Sequence, residues 1–273
     1  MSKWFPLLLS IALLASTSRV HSADAKTELQ DLVGRVNSKI ELGKHAEQDF
    51  GDELKEFDKL LAEHKGEKTE EVAKILAMKA MLYTEVFDND EKAMELLKEV
   101  KTEFPGTVPG QEADEIIAAL TKQQEAKKIE RSLAAGSVFP VFDEKDLDGK
   151  PLSLAKYKGK IVLIDFWATW CPPCLQELPN VRRIYAKYHD KGFEIIGISL
   201  DEDKDTLAGF IKEKEMTWPQ YYDGKQWQNK MALKYGVTQI PSTYLLGKDG
   251  KIIAKQLRGE ELDSAVAKAL NAN

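Results

Sequence analysis

Ile161-Val162-Leu163-Ile164-Asp165-Phe166-Trp167-Ala168-Thr169-Trp170-Cys171-Pro172-Pro173-Cys174 is the stretch on which the fold turns. Residues 161–166 form a nearly continuous apolar run broken by Asp165, the pattern of a central strand covered on both faces. Past Cys174, the residues Leu175, Leu178, Val181, Ile184 and Tyr188 recur on one side of a helix. The two cysteines therefore stand where a strand gives way to a helix. At such a junction the first N–H groups lack helical partners and the helix field favours negative charge. A thiol there is expected to ionise below the free value of about 8.5, and dithiols of this spacing span about 3.5 to 7. Cys171 is the expected nucleophile toward a disulfide, and Cys174, one turn inward, the thiol that attacks the mixed disulfide. Pro172 and Pro173 lack N–H groups where the first turn leaves donors unused, so they stiffen the loop without loss of helix bonds.

Other uses of two cysteines fit less well. A structural zinc site needs about four ligands, and the sequence offers no second cysteine pair. A bridge closing so small a loop constrains little of the unfolded chain, which argues against an inert structural disulfide. The reading is a redox pair that needs no metal and no cofactor beyond a Cys171–Cys174 disulfide.

Outward from this centre the texture stays α/β. Residues 138–142 read as a short edge strand, where Pro140 needs no donor, and Asp148-Gly149-Lys150 as a turn. A strand follows at 193–200, a helix at about 206–215 and a short helix around 230–235. Residues 243–246 and 251–254 should pair as an antiparallel hairpin through Lys248-Asp249-Gly250, and Leu262, Val266 and Leu270 mark a closing helix. The expected architecture is an α/β sandwich around a mixed sheet over 136–273.

The half before residue 136 differs. It is rich in Ala, Glu, Lys and Leu, good helix formers, with apolar residues at helical spacing in five sets: from Leu29 to Ile40, Phe50 to Leu61, Val72 to Leu82, Ala93 to Phe104, and from Ile116 onward. Lys79 is a polar exception within the third set. Breaks fall at Gly66, at Asp88-Asn89-Asp90 and across 105–110. Four or five packed helices over 23–135 are expected, an all-α domain with a surface suited to a protein partner. Ala77, Ala80, Tyr83, Ala93, Leu97, Val100 and Pro105 resemble one tetratricopeptide unit, whereas a stacked array needs about three. His45 and His64 read as solvent-facing helix residues, and His189 as a favourable charge at a helix C-terminus.

The first residues carry an address. Lys3 precedes an apolar stretch over 5–15, and Val20 and Ser22 stand three and one residues before a cut ahead of Ala23, so 1–22 read as a secretory signal peptide. The apolar run is shorter than the roughly 20 residues of a spanning helix, the mark of an uncleaved membrane anchor. Export would place the protein in the periplasm or another extracytoplasmic compartment. Of 273 residues, 39 are basic and 45 acidic. Cleavage would leave 37 against 45, a charge of −8 that repels phosphate backbones and gives no case for nucleic-acid binding.

Residues 136–273 resemble the thioredoxin superfamily, and within it the exported TlpA/ResA-like thiol-disulfide oxidoreductases. The resemblance rests on 157–170 leading into the cysteines, on Glu177-Leu178-Pro179 after them, and on Tyr235-Gly236-Val237-Thr238-Gln239-Ile240-Pro241-Ser242-Thr243. It implies that Pro241 is cis against the cysteine pair and that the backbone of Ile240 pairs with an extended substrate. It implies too that Pro179 kinks the active-site helix, and that Asp165 is a buried general base for Cys174 while Glu177 tunes the thiols. Trp170 would shield the thiols and offer a contact surface beside Pro172 and Pro173. Gln239 departs from the glycine of many relatives, and ordinary ResA-like proteins lack the helical half. The implied activity is reduction of disulfides in exported proteins, apocytochromes among them, with electrons from a membrane-bound thiol donor. A disulfide oxidase or isomerase, and a scaffold that binds through the helical half, remain open at this point.

Overall fold

The structure, a computed structural model, describes residues 20–272, with side chains from Ala25 onward. Residues 1–19, and with them most of the expected signal peptide, lie outside the described residues. Among the described residues no helix is long and apolar enough to cross a membrane. The chain divides into two compact units, one up to Gln124 and one from Glu125.

The first unit is helical: α1 (Val20–Glu41), α2 (Gly51–Glu63), α3 (Glu70–Glu85), α4 (Asp90–Glu103) and α5 (Val108–Ser132), the last running across the division. Polar side chains cap the starts of α3, α4 and α5. Thr69 accepts from the Val72 N–H, Asn89 from that of Lys92 and Thr107 from that of Gly110. Helix α3 serves two apolar clusters. Its Ile75 and Leu82 join Leu29, Leu32 and Phe57, while its Val72, Leu76 and Ala80 join Ala93, Leu97 and Val100. Apolar side chains therefore spread around α3 instead of forming one stripe. Lys79 is buried with its ammonium on the Asp58 carboxylate, so its place in the apolar set is filled by its hydrocarbon stem.

The expected break over 105–110 is shorter, because α5 takes Pro109 and Gly110 into its first turn, where a proline loses no bond. Gly110 is required there: a Cβ at this position would lie 1.9 Å from the Phe104 carbonyl oxygen. The histidine reading needs correction. His64 is buried, with Nδ1 3.3 Å from a Glu67 carboxylate oxygen, and His45 is exposed but sits in a loop.

The second unit contains β1 (Asp143–Lys145), β2 (Pro151–Ser153), β3 (Ile161–Trp167), α6 (Pro172–Tyr188), β4 (Phe193–Ser199), α7 (Lys204–Glu213), β5 (Gln220–Tyr221), α8 (Lys230–Lys234), β6 (Ser242–Leu246), β7 (Ile252–Lys255) and α9 (Gly259–Asn271). Strands β1 and β2 form a hairpin, and the others a sheet of order β5-β4-β3-β6-β7. Strand β3 runs parallel to β4 and antiparallel to β6, so the sheet is mixed, as its thioredoxin-like reading requires. The register sets Asp165 opposite Gly197 on β4 and Thr243 on β6.

Two strands depart from expectation. Residues 138–142 form no strand; Val138 makes one isolated bridge to Lys251, and Pro140 then withholds a ladder donor. Strand β5 was not legible because it is two residues long. Its Gln220 side chain crosses over β4 to accept from Trp167 Nε1 at 2.9 Å, and a Cβ at Gly197 would lie 1.9 Å from that amide oxygen. Gly197 thus makes room for the clamp that holds Trp167 in the core.

Candidate active site

Cys171 and Cys174 are joined by a disulfide at the N-terminus of α6. Cys171 is the N-cap, and its Sγ accepts from the Cys174 N–H at 3.3 Å. Pro172 and Pro173 fill the next two positions, so two N–H groups that would otherwise surround this sulfur are missing. Exposure does not rank the two cysteines, at 4% and 6%; position on the helix does. Helix α6 continues through Pro179, which lacks the N–H for a bond within it.

The loop ahead of the cysteines is tied to the end of β4 by Asp201. This carboxylate is 3% exposed and accepts from the Thr169 N–H, the Thr169 hydroxyl and the Ser199 hydroxyl, the last at 2.7 Å. Trp170 then stands 45% exposed, edge-on to Trp227 with ring centroids 6.1 Å apart. Trp227 belongs to the turn 226–228. Asn229 holds this turn through bonds to the Ser199 carbonyl and Asp223, and Gln226 adopts a left-handed φ of 45°. The Ile240–Pro241 bond is cis, and both residues are half-buried.

Behind the disulfide lies a cavity of ≈ 20 Å³, room for about one water molecule. Asp165, Cys174, Glu177, Pro241, Thr243 and Arg258 are among its lining residues. Asp165 is enclosed in the sheet, and the surface it retains faces this cavity. Burial pushes its pKa up to about 7; Arg258 opposes that rise and Glu177 adds to it. Glu177 is held by two donors on the same oxygen, Asn180 Nδ2 at 2.7 Å and the Gly259 N–H at 2.8 Å. The second bond also satisfies the first N–H of α9.

A cysteine pair at a helix start, a cis-proline and an enclosed acid that shares a cavity with the inner cysteine are the parts expected of a disulfide-exchange centre. Residues 134–272 match the family model described as Redoxin. This chain is a redoxin. The redoxin is 36% identical to the thiol-disulfide oxidoreductase ResA of Bacillus thuringiensis subsp. konkukian over 132 residues, 48% of this chain and 74% of that protein. With the ResA of Bacillus subtilis it shares 31% over 140 residues, 51% of this chain and 76% of the relative. The thioredoxin domain of a thiol-disulfide oxidoreductase from Bacteroides vulgatus is 38% identical, with a TM-score of 0.47, covering 51% of this chain and all of that one. The redoxin is therefore a ResA-like thiol-disulfide oxidoreductase of the thioredoxin superfamily.

The structure brings Cys171, Cys174, Asp165, Glu177 and Pro241 together around one disulfide and its cavity. Trp170, Pro172 and Pro173 are exposed at the same end of α6. Sequence reading missed Trp227, Asp201 and Arg258. Trp227 had a signal, a lone aromatic in the polar run Lys225-Gln226-Trp227-Gln228-Asn229. Arg258 had none, because its neighbours are set by strand register and not by nearby sequence.

Proposed function

We propose that this redoxin works as a disulfide reductase on exported proteins. The observation that carries the direction is that, beyond the field of α6, few hydrogen-bond donors reach the sulfur at position 171. Among the described residues, its Sγ receives one backbone N–H, and two prolines remove others. The acids at 165 and 177 line the cavity on the inner sulfur's side. A dithiol whose reduced form is little stabilised gives up electrons readily, whereas strong oxidants stabilise theirs.

The exchange runs in two steps. Cys171 as thiolate attacks a substrate disulfide, forming one S–S bond and releasing one substrate thiolate. Cys174 then passes its proton to Asp165 and attacks Cys171, closing the internal disulfide and releasing the second thiolate. Two electrons leave the enzyme dithiol for the substrate. A dithiol donor, in this reading a membrane-bound one, returns them by the reverse exchange. With a pKa raised to about 7, Asp165 can take and return a proton near neutrality. Ile240 would present its backbone, and Trp170 its ring, to an extended segment around the substrate cysteine.

The signal-like residues 1–22 support an extracytoplasmic setting, and oxidised apocytochrome peptides are the first substrates to try. The helical unit supports a further partner surface, with Leu42 at 79% and Val108 at 53% exposure. Equilibration of the full chain against glutathione tests the direction. The expected potential lies below about −200 mV; a value near about −120 mV would make the protein an oxidant.

A further inference from the structure

Arg258 lies between β7 and α9, and no motif points to it. Its Nη1 donates to Thr243 Oγ1 at 3.1 Å and to the Leu257 carbonyl at 2.7 Å, while Nη2 donates to the carbonyl of the cis residue Pro241. Thr243 is the β6 partner of Asp165, so the guanidinium is fastened to the rung on which the buried acid sits. The next residue, Gly259, donates its N–H to Glu177, one turn beyond Cys174. Two consecutive residues thus join the start of β6 to α6. The charged or titratable groups lining the cavity with Asp165 are Cys174 and Glu177 from α6 and Arg258 from the loop; the lining from β3, β6 and α9 adds none besides Asp165 itself.

We propose that Arg258 is a positioning residue for disulfide exchange: its fork fixes the cis-proline end of β6, and its charge faces the carboxylate that receives the Cys174 proton. The proposal rests on the reading of Asp165 given above. Arginine suits both tasks, since its planar fork binds two acceptors at once and its charge is permanent. In the resolving step the Cys174 proton moves to Asp165 and a bond forms between the two cysteine sulfurs. The bond from Cys171 to the substrate sulfur breaks, its electron pair leaving with the substrate thiolate. Arg258 forms no bond in this step. It holds the acceptor in the ionised state that can take the proton, and its loss leaves burial and Glu177 unopposed.

The test compares R258Q and R258K with the parent in the full-length chain, following resolution of a mixed disulfide with a cysteine peptide across pH. R258Q should move the midpoint up by about one pH unit or more and slow resolution at pH 7 roughly fivefold or more. R258K should keep the midpoint and raise KM for the peptide. Carboxyl ¹³C titration of Asp165 in the oxidised proteins gives the same comparison without turnover. An equal loss of rate at every pH in both variants, with the Asp165 titration unmoved, would reduce Arg258 to a structural clamp and overturn the proposal. D165N separates the two ideas. If it resolves as fast as the parent, the proton-acceptor reading falls and takes the charge role of Arg258 with it. If D165N is slow while R258Q keeps the parent midpoint, Arg258 alone has been misassigned.

Discussion

The two sides of the disulfide are built from opposite materials. Toward solvent stand Trp170, Trp227 and the Ile240-Pro241 backbone, large apolar surfaces and peptide groups with no ionisable side chain. Toward the interior stand two carboxylates and a guanidinium around a cavity with room for about one water. In the proposed exchange the outer side grips the partner and holds no group to move a proton, while the inner side moves the proton and is too enclosed to touch the partner. Affinity and acid–base chemistry are thus assigned to different elements, and substitutions should separate them.

The largest effect breaks the disulfide itself. Cys174→Ser leaves the attacking thiol and removes the resolving one, so turnover should fall by on the order of 10³-fold or more. A stable mixed disulfide through Cys171 should appear by mass spectrometry. If the adduct formed through Cys174 in the reciprocal variant instead, the roles of the two sulfurs would be exchanged.

Asp165→Asn probes the inner side. Resolution should slow by about 10²-fold and lose its pH dependence near 7, with KM little changed. Stability should move the other way. A carboxyl whose folded pKa is raised holds its proton in the native state after the unfolded chain has lost it. Stability then falls as pH rises from about 4 to about 7 and is flat above. The loss is roughly 4 kcal/mol, taking 1.36 kcal/mol per unit. Urea unfolding of the oxidised proteins at pH 8 should therefore find D165N more stable than the parent, and a less stable variant would contradict the burial argument.

Trp227→Ala probes the outer side. Trp227 is 40% exposed, and an aromatic contact is worth about 0.5–1.5 kcal/mol beyond its area, so loss of the face it offers a peptide disulfide should raise KM by roughly 2- to 10-fold with the pH midpoint unmoved. A shifted midpoint would show that the two sides are not separate. The smallest effect lies away from both. Asp263 binds Arg183, Lys187 and Tyr188 and ties α9 to α6, and these partners hold its carboxyl well below the usual range. Being ionised in both states at neutral pH, it stabilises the fold there and loses that contribution as pH falls through the acid range. D263N should cost about 1 kcal/mol at pH 7 and leave exchange rates alone.

What could be read from sequence was local. The strand over 161–166, the helix after Cys174 and the exception at Asp165 are legible because burial and helical spacing act over a few residues. The same holds for the five helices of the first unit. Arg258 and Trp227 become part of the site only through register and loop closure, which pair residue 165 with 243 and bring the side chain of 258 onto 243. Strand β5 is too short to show periodicity, and Pro140 spoiled an apolar run that otherwise reads as a strand. His64 misled because it caps the C-terminus of α2, and a single polar residue there carries no mark of which side it faces.

With about a twentieth of either cysteine open to solvent, dissolved small thiols have few trajectories that meet the sulfur–sulfur axis end-on. Exchange with the ambient thiol pool is slowed on this ground, and in the proposed reading the pair trades electrons fastest with macromolecules that dock long enough to align a sulfur with it. In that reading the protein behaves less like a buffer component than like a plug that passes charge best when seated.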